Sequence, residues 1–167
     1  AGMIIADQTG IGKGRQAAAM IRWARRQGHI PIFLTAKANL ISSMYEDLID
    51  IGETGLKPLI FNIGKDANII DNKTDETLFT SPKPKDRSRI LAELANGKRS
   101  ADHNAIFLTY SQINKINAAQ STALRGIASK AFFIMDEAHE AGGATSKGGR
   151  AKEGEEGTNT FRVMSGA

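Results

Sequence analysis

The 167-residue sequence contains no cysteine. That absence excludes disulfide bridges, thiolate nucleophiles and thiolate-bound zinc, and it permits a reducing compartment without requiring one. Excess charge is also scarce. Twenty-two basic against 18 acidic residues leave a formal +4, favourable for meeting a polyanion but far from the dense basic stripes of dedicated nucleic-acid binders. No apolar run approaches the roughly 18–20 residues that span a bilayer, and no basic segment precedes a hydrophobic signal core. An intracellular protein that makes no use of a membrane is therefore expected, cytoplasmic or at a nucleoid or nucleus. What is present is apolar content: 41% hydrophobic residues suit one compact domain with a genuine core. The chain opens on an apolar run, residues 1–5, that reads as a buried strand, which suggests a piece of a longer protein.

Short apolar runs alternate with helical patterns along the chain. Met3-Ile4-Ile5-Ala6 breaks into Asp7-Gln8-Thr9-Gly10-Ile11-Gly12, a buried strand entering a tight loop. Over 15–27, Ala17, Ala18, Met20, Ile21 and Ala24 recur at helical spacing, with Arg22, Arg25 and Arg26 on a solvated face and Gly28 as the stop. Strands are expected at 30–34, 59–63, 105–108 and 131–135, and helices at 86–96 and 118–129. A further amphipathic segment carries Leu40, Ile41, Met44, Leu48 and Ile51 and closes at Gly52. Residues 64–85, polar and containing Pro82 and Pro84, read as a mobile surface excursion anchored only by Ile69, Ile70, Leu78 and Phe79. Residues 140–157, rich in glycine and charge, read as a flexible loop. Residues 158–167 are expected to begin a helix capped by Thr158, with a strand as the alternative. The alternation predicts an α/β fold: a mostly parallel sheet covered by helices on both faces, with ligands at the strands' carboxyl ends.

Two constellations carry chemistry. Thr9, Gly10, Ile11, Gly12, Lys13, Gly14 and Arg15 lie between a strand and a helix start. Glycines there let successive amide hydrogens converge, the helix N-terminus adds partial positive charge, and Lys13 neutralises outer phosphates. The result is a triphosphate cradle; the alternative is a glycine-rich turn that packs a helix on a strand. The pattern G-x-x-x-x-G-K-[ST] is broken at both ends, with Asp7 at the first glycine and Gly14 in place of the hydroxyl residue that normally contacts magnesium. Metal binding should then rest on water and on an acid elsewhere. The second constellation is the apolar run 131–135 followed by Asp136-Glu137-Ala138-His139. At a strand end beside the loop, Asp136 can hold Mg2+ through water and Glu137 can orient or deprotonate the attacking water. Together they imply binding and hydrolysis of a nucleoside triphosphate with Mg2+; the family likeness described next makes that nucleotide ATP.

These residues also carry a family likeness. Asp136-Glu137-Ala138-His139 resembles the Walker B box of DEAH-type superfamily-two helicases, and Ala6-Asp7-x-x-Gly10-x-Gly12-Lys13 resembles motif I of chromatin-remodeller-like translocases. Thr9-Gly10-Ile11-Gly12-Lys13-Gly14-Arg15-Gln16, with glycine after the lysine, is similar to motif I of the strawberry notch group. Phe33-Leu34-Thr35-Ala36-Lys37 resembles motif Ia, Asp47-Leu48-Ile49-Asp50-Ile51-Gly52 the end of the next helix in that group, and Phe107-Leu108-Thr109-Tyr110-Ser111 the T-Y-S motif. Ser165-Gly166-Ala167 resembles the S-A-T of motif III loosely, without the helix expected before it.

The resemblance implies a three-layer P-loop NTPase (RecA-like) domain over residues 1–167, the first of two. It implies Lys13 on the phosphates, Asp136 on magnesium, Glu137 as catalytic base and His139 coupling hydrolysis to movement. Thr35, Lys37, Thr109 and Tyr110 would touch a nucleic-acid backbone, although polar residues at strand ends also commonly just begin helices. The implied partners are nucleic acid, with DNA favoured over RNA, and a second RecA-like domain whose arginines complete the ATP site; alone, this chain should hydrolyse ATP weakly or not at all. Two functions follow: an ATP-driven helicase or translocase moving on DNA, or a nucleotide-dependent switch or scaffold within a larger regulatory or DNA-modification protein. A small-molecule kinase fits poorly, because the DEAH box follows a strand and no substrate lid is evident. Trp23 is expected to pack rather than stack on bases, and His29 and His103 have no ligand-like company.

Overall fold

The computed structural model describes residues 12–113 and 118–136. The expected first strand (Met3–Ala6), the 140–157 loop and the 158–167 segment lie outside the described residues.

Helix α1 (Lys13–Arg26) buries Ala18, Ile21 and Ala24, a stripe repeating every three residues. It stops at Gly28, whose φ of 79° lies in the left-handed region that side chains enter only at a cost. The Gly28 amide donates to Arg25 O and the His29 amide to Ala24 O, both at 3.0 Å, which satisfies the last carbonyls of the helix. Helices α2 (Asn39–Asp50) and α3 (Pro84–Ala95) close by the same paired bonds at Gly52 and Gly97, and α3 starts on a proline, which gives up no helical hydrogen bond there. The fourth helix, α4 (Ala119–Ile127), runs into a 3-10 turn at Ala128–Lys130, where the sequence suggested one continuous helix.

Among the described residues, six strands punctuate these helices: β1 (Ile30–Thr35), β2 (Pro58–Ile60), β3 (Asn68–Ile70), β4 (Thr77–Thr80), β5 (Ala105–Thr109) and β6 (Ala131–Met135). Four of them form a parallel sheet in the order β2-β5-β1-β6. Thr35 lies level with Thr109, and Leu34 with Met135, so three strands end together at one edge. Side chains alternate across the sheet. Ile32, Leu34, Ile106 and Leu108 pack with Leu94 of α3 and Leu124 of α4. Phe33, Ile60 and Phe107 face Ile21 of α1 and Ile41 and Leu48 of α2 on the other side. Burial on both faces explains the continuously apolar strands and gives the three-layer RecA-like P-loop NTPase architecture. Among the described residues, no helix is long and apolar enough to cross a membrane.

Three further features differ from the sequence expectation. The strand expected at 59–63 ends at Ile60, because Arg87 of α3 takes the next carbonyls: it donates to Ile60 O and to Phe61 O, and the chain turns out to an exposed Ile63. The surface excursion contains an antiparallel hairpin, β3–β4, that composition concealed. Its anchor is Ile69, which is fully buried; Phe79 meets Tyr45 edge-on at 5.1 Å, and the Ile70 amide donates to Ser42 Oγ of α2. The hairpin turn is set by Asp71, whose carboxylate accepts from the Lys73 and Thr74 amides.

The third difference concerns the α1 arginines, expected on a solvated face. Arg22 donates to Ile51 O at 2.7 Å, and Arg25 meets Glu53 Oε1 at 2.6 Å. Glu53 is only 3% exposed. Its carboxylate follows the α2 closure under the end of α1, and an ionised group there requires a cation beside it. Arg26 alone of the three is exposed.

Candidate nucleotide-binding site

The carboxyl ends of β1, β5 and β6 and the start of α1 lie at the edge where a doubly covered parallel sheet presents its ligand site. Helix α1 packs on β1 and β6 and leads directly into the start of β1, so its N-terminus points toward the carboxyl end of that strand. Gly12, with φ of 73°, supplies the left-handed turn into the helix; no side chain caps it, and no acid lies in the first turn. Uncapped amide hydrogens and the positive end of the helix dipole together make an anion site. Lys13 is the first helical residue and is exposed. Thr9, Gly10 and Ile11, the earlier part of the expected cradle, lie outside the described residues, as do Glu137 and His139.

Asp136 is the best-defined group of the site. Its amide donates to Leu34 O at 2.9 Å, extending the β1–β6 ladder by one bond. Its carbonyl accepts from the Tyr110 hydroxyl at 2.9 Å, and its Oδ2 accepts from the Thr35 hydroxyl at 3.2 Å. Three strand ends thus fix one carboxylate, and Oδ1 accepts no hydrogen bond among the described residues. An oriented carboxylate with an open oxygen suits a hard cation that keeps most of its water, so the site is compatible with Mg2+.

Four residues were expected on nucleic acid. Three of them, Thr35, Thr109 and Tyr110, are buried. Thr35 and Tyr110 spend their hydroxyls on Asp136. Thr109 joins a polar cluster at the ends of β2 and β5: Asn62 Nδ2 donates to Thr109 Oγ1 at 3.0 Å, the Thr109 amide donates to Asn62 Oδ1 at 3.1 Å, and Ser111 Oγ lies 2.8 Å from Thr109 Oγ1. Sequence patterns did not single out Asn62, whose partner is 47 residues away. Lys37, by contrast, is exposed at the end of the β1 turn.

At Gly14, the place of the missing hydroxyl is filled from another helix. A Cβ built on Gly14 would overlap Asp47 Oδ2 of α2 and lie 3.0 Å from Asp47 Cγ. Burial pushes the Asp47 carboxyl pKa upward, and the neighbouring Asp50 and Glu46 add to this, while Arg15 opposes it. Arg15 itself pairs with Asp50 at 3.4 Å, an exposed contact of little energetic weight. Trp23, 48% exposed, packs edge-on against Phe132 at 5.4 Å, in keeping with a packing role.

A RecA-like sheet, an uncapped helix start carrying Gly12-Lys13, and a fixed acid at the neighbouring strand end define an ATP-handling domain of the superfamily-two helicase type. The family model described as type III restriction enzyme, res subunit, matches residues 1–156, and the chain belongs to that family. It is therefore an ATP-dependent, helicase-like domain of the ATP hydrolase class, and domains of this family use ATP with a divalent metal. No curated protein and no solved structure matches the chain.

Proposed function

We propose that this chain is the ATP-binding half of a nucleic-acid-dependent motor that couples ATP hydrolysis to movement on DNA. The single observation that carries the reading is Asp136, held in place by Leu34, Thr35 and Tyr110 at the sheet edge where α1 begins with Gly12-Lys13. In this reading Lys13 and the α1 amides bind the phosphates, and Asp136 orients the hydrated metal. Bound Mg2+ would supply charge neutralisation on the phosphate oxygens. Glu137, the next residue, takes the proton of the attacking water, and His139 passes the state of the site to the rest of the motor. Thr9, Gly10, Ile11 and Gly14 complete the cradle, with Arg15 at its border.

The likeness of residues 136–139 to a DEAH box and of residues 9–16 to a strawberry notch-type motif I supports reading the chain as a translocase that grips the phosphate backbone of DNA rather than reads its sequence. Lys37 is exposed and able to reach a phosphate; Thr35, Thr109 and Tyr110 act behind it by shaping the strand ends. A second RecA-like domain would close the site and supply arginine to the transition state.

The test is calorimetric titration of Mg2+·ATP into this chain and into Lys13→Ala. Saturable binding that is lost in the variant is expected. Equal binding by both proteins would overturn the site. In a protein carrying both motor domains, DNA-stimulated ATP turnover abolished by Glu137→Gln is expected. ATP binding with turnover indifferent to nucleic acid would favour the switch or scaffold function instead.

A further inference from the structure

The P-loop pattern places a serine or threonine after its lysine, and that hydroxyl contacts the metal. Here the residue is Gly14, and its absent side chain leaves room for Asp47 Oδ2, which comes from the second-to-last turn of α2. Three acids cluster on this part of α2, and two of them are occupied: Glu46 accepts the Asn72 amide, and Asp50 pairs with Arg15. The Asp47 carboxylate accepts no hydrogen bond among the described residues, although it is partly buried against the first turn of α1. Solvent still reaches this carboxylate, as an oxygen that meets a cation keeping most of its own water requires.

We infer that Asp47 stands in for the missing P-loop hydroxyl, supplying the oxygen donor through which the first turn of α1 engages the hydrated Mg2+ that accompanies ATP. This rests on the nucleotide-site reading above and adds to it a residue from another helix. The exchange is chemically reasonable. Mg2+ takes oxygen donors of either kind and retains most of its water, so a carboxylate arriving from α2 serves where a hydroxyl on α1 does not. It also fits glycine at position 14: a Cβ there would displace the Asp47 carboxylate from the place it occupies. Glycine and acid are thus a matched pair, and the metal contact has moved from one helix to its neighbour.

The experiment compares ADP binding with EDTA and with Mg2+ by calorimetry, for the wild-type chain, Asp47→Asn, and the double variant Gly14→Ser with Asp47→Gly. Manganese affinity of each ADP complex, from the free Mn2+ resonance signal, gives a second readout. Wild type is expected to gain affinity for ADP on adding Mg2+. Asp47→Asn should keep the metal-free affinity within two-fold, lose most of the Mg2+ gain, and weaken Mn2+ ten-fold or more. The double variant, which returns a hydroxyl to α1, should recover at least part of that loss. An unchanged Mg2+ gain in Asp47→Asn overturns the inference while leaving the nucleotide site intact. Equal loss of ADP binding with and without metal also overturns it, because Asp47 would then only be shaping the loop. Absence of ADP binding by the wild-type chain under either condition removes the nucleotide-site reading and this inference with it.

Discussion

Replacing Thr35 by valine tests the site at its most constrained point. Thr35 is fully buried, and valine has nearly its shape, so the substitution opens no cavity. It removes a hydroxyl that donates to Asp136 Oδ2 at 3.2 Å. A hydrogen bond to a charged acceptor contributes about 1.5–3 kcal/mol. At 3.2 Å the bond is long for a hydroxyl donor, and Asp136 is only partly buried, so water replaces it in part. A loss of roughly 1 kcal/mol is therefore the reasoned figure for the bond, and burying a methyl in place of the hydroxyl offsets a similar amount. Net stability in urea should stay within about 1 kcal/mol of wild type. Metal handling should not be spared, because the carboxylate loses the group that fixes its rotamer. A loss of about 1.4 kcal/mol, a ten-fold weakening of Mg2+-dependent ADP binding, is expected by calorimetry. Thr35→Ser, which keeps the hydroxyl, should bind metal and nucleotide much as wild type does. If Thr35→Val retains the full Mg2+ dependence, the hydrogen bond does not organise the metal group and the reasoning fails.

Three other outcomes follow from the packing. Asp47 has its carboxyl pKa raised by burial, so the folded chain holds that proton more tightly than the unfolded chain does. The associated stability is complete below the ordinary value of 3.8 and is lost as pH rises through the shifted one. Asp47→Asn should therefore melt at the wild-type temperature in acid and above it at pH 7, and a difference independent of pH would contradict the assignment. Arg25→Met strands the buried Glu53, at a cost of about 3 kcal/mol, the low end for a broken buried pair because Arg25 is partly exposed; Arg25→Met with Glu53→Met should recover most of it in urea unfolding. At Gly126, where α4 crosses α3, an added Cβ overlaps the carbonyl oxygens of Leu94 and Ala95. Alanine there gains about 1 kcal/mol of helix propensity but overpacks against rigid backbone at a cost of about 3 kcal/mol. Gly126→Ala should thus lower the melting temperature, and a rise would show that the two helices separate freely.

What could be read from the sequence divides along physical lines. Among the described residues, the β1, β5 and β6 strands and helices α1–α4 follow from periodicity and glycine stops, which are local properties, and the strand expected at 131–135 matches β6 residue for residue. The β3–β4 hairpin was hidden because its hold on α2 rests on one buried Ile69 and one aromatic pair, too few apolar residues to make a pattern. Arg22 and Arg25 read as solvated because nothing in their own helix reveals that the chain around and beyond Gly52 returns beneath them. The candidate site shows the same division. Gly12, Lys13 and Asp136 are legible as motifs. The tasks of Thr35 and Tyr110 are not, since their bonds to Asp136 join residues 101 and 26 positions apart. The one signal that pointed beyond local pattern was Gly14, a departure that asked what fills the space.

The way Asp136 is tied has a consequence for variation. A carboxylate whose amide, carbonyl and side chain are each fastened to a different partner is a larger mutational target than its own codon. Changes at Thr35 or Tyr110 reach the same atoms without altering the acidic motif itself, so a variant with an intact Asp136-Glu137 pair can still carry a misaligned carboxylate.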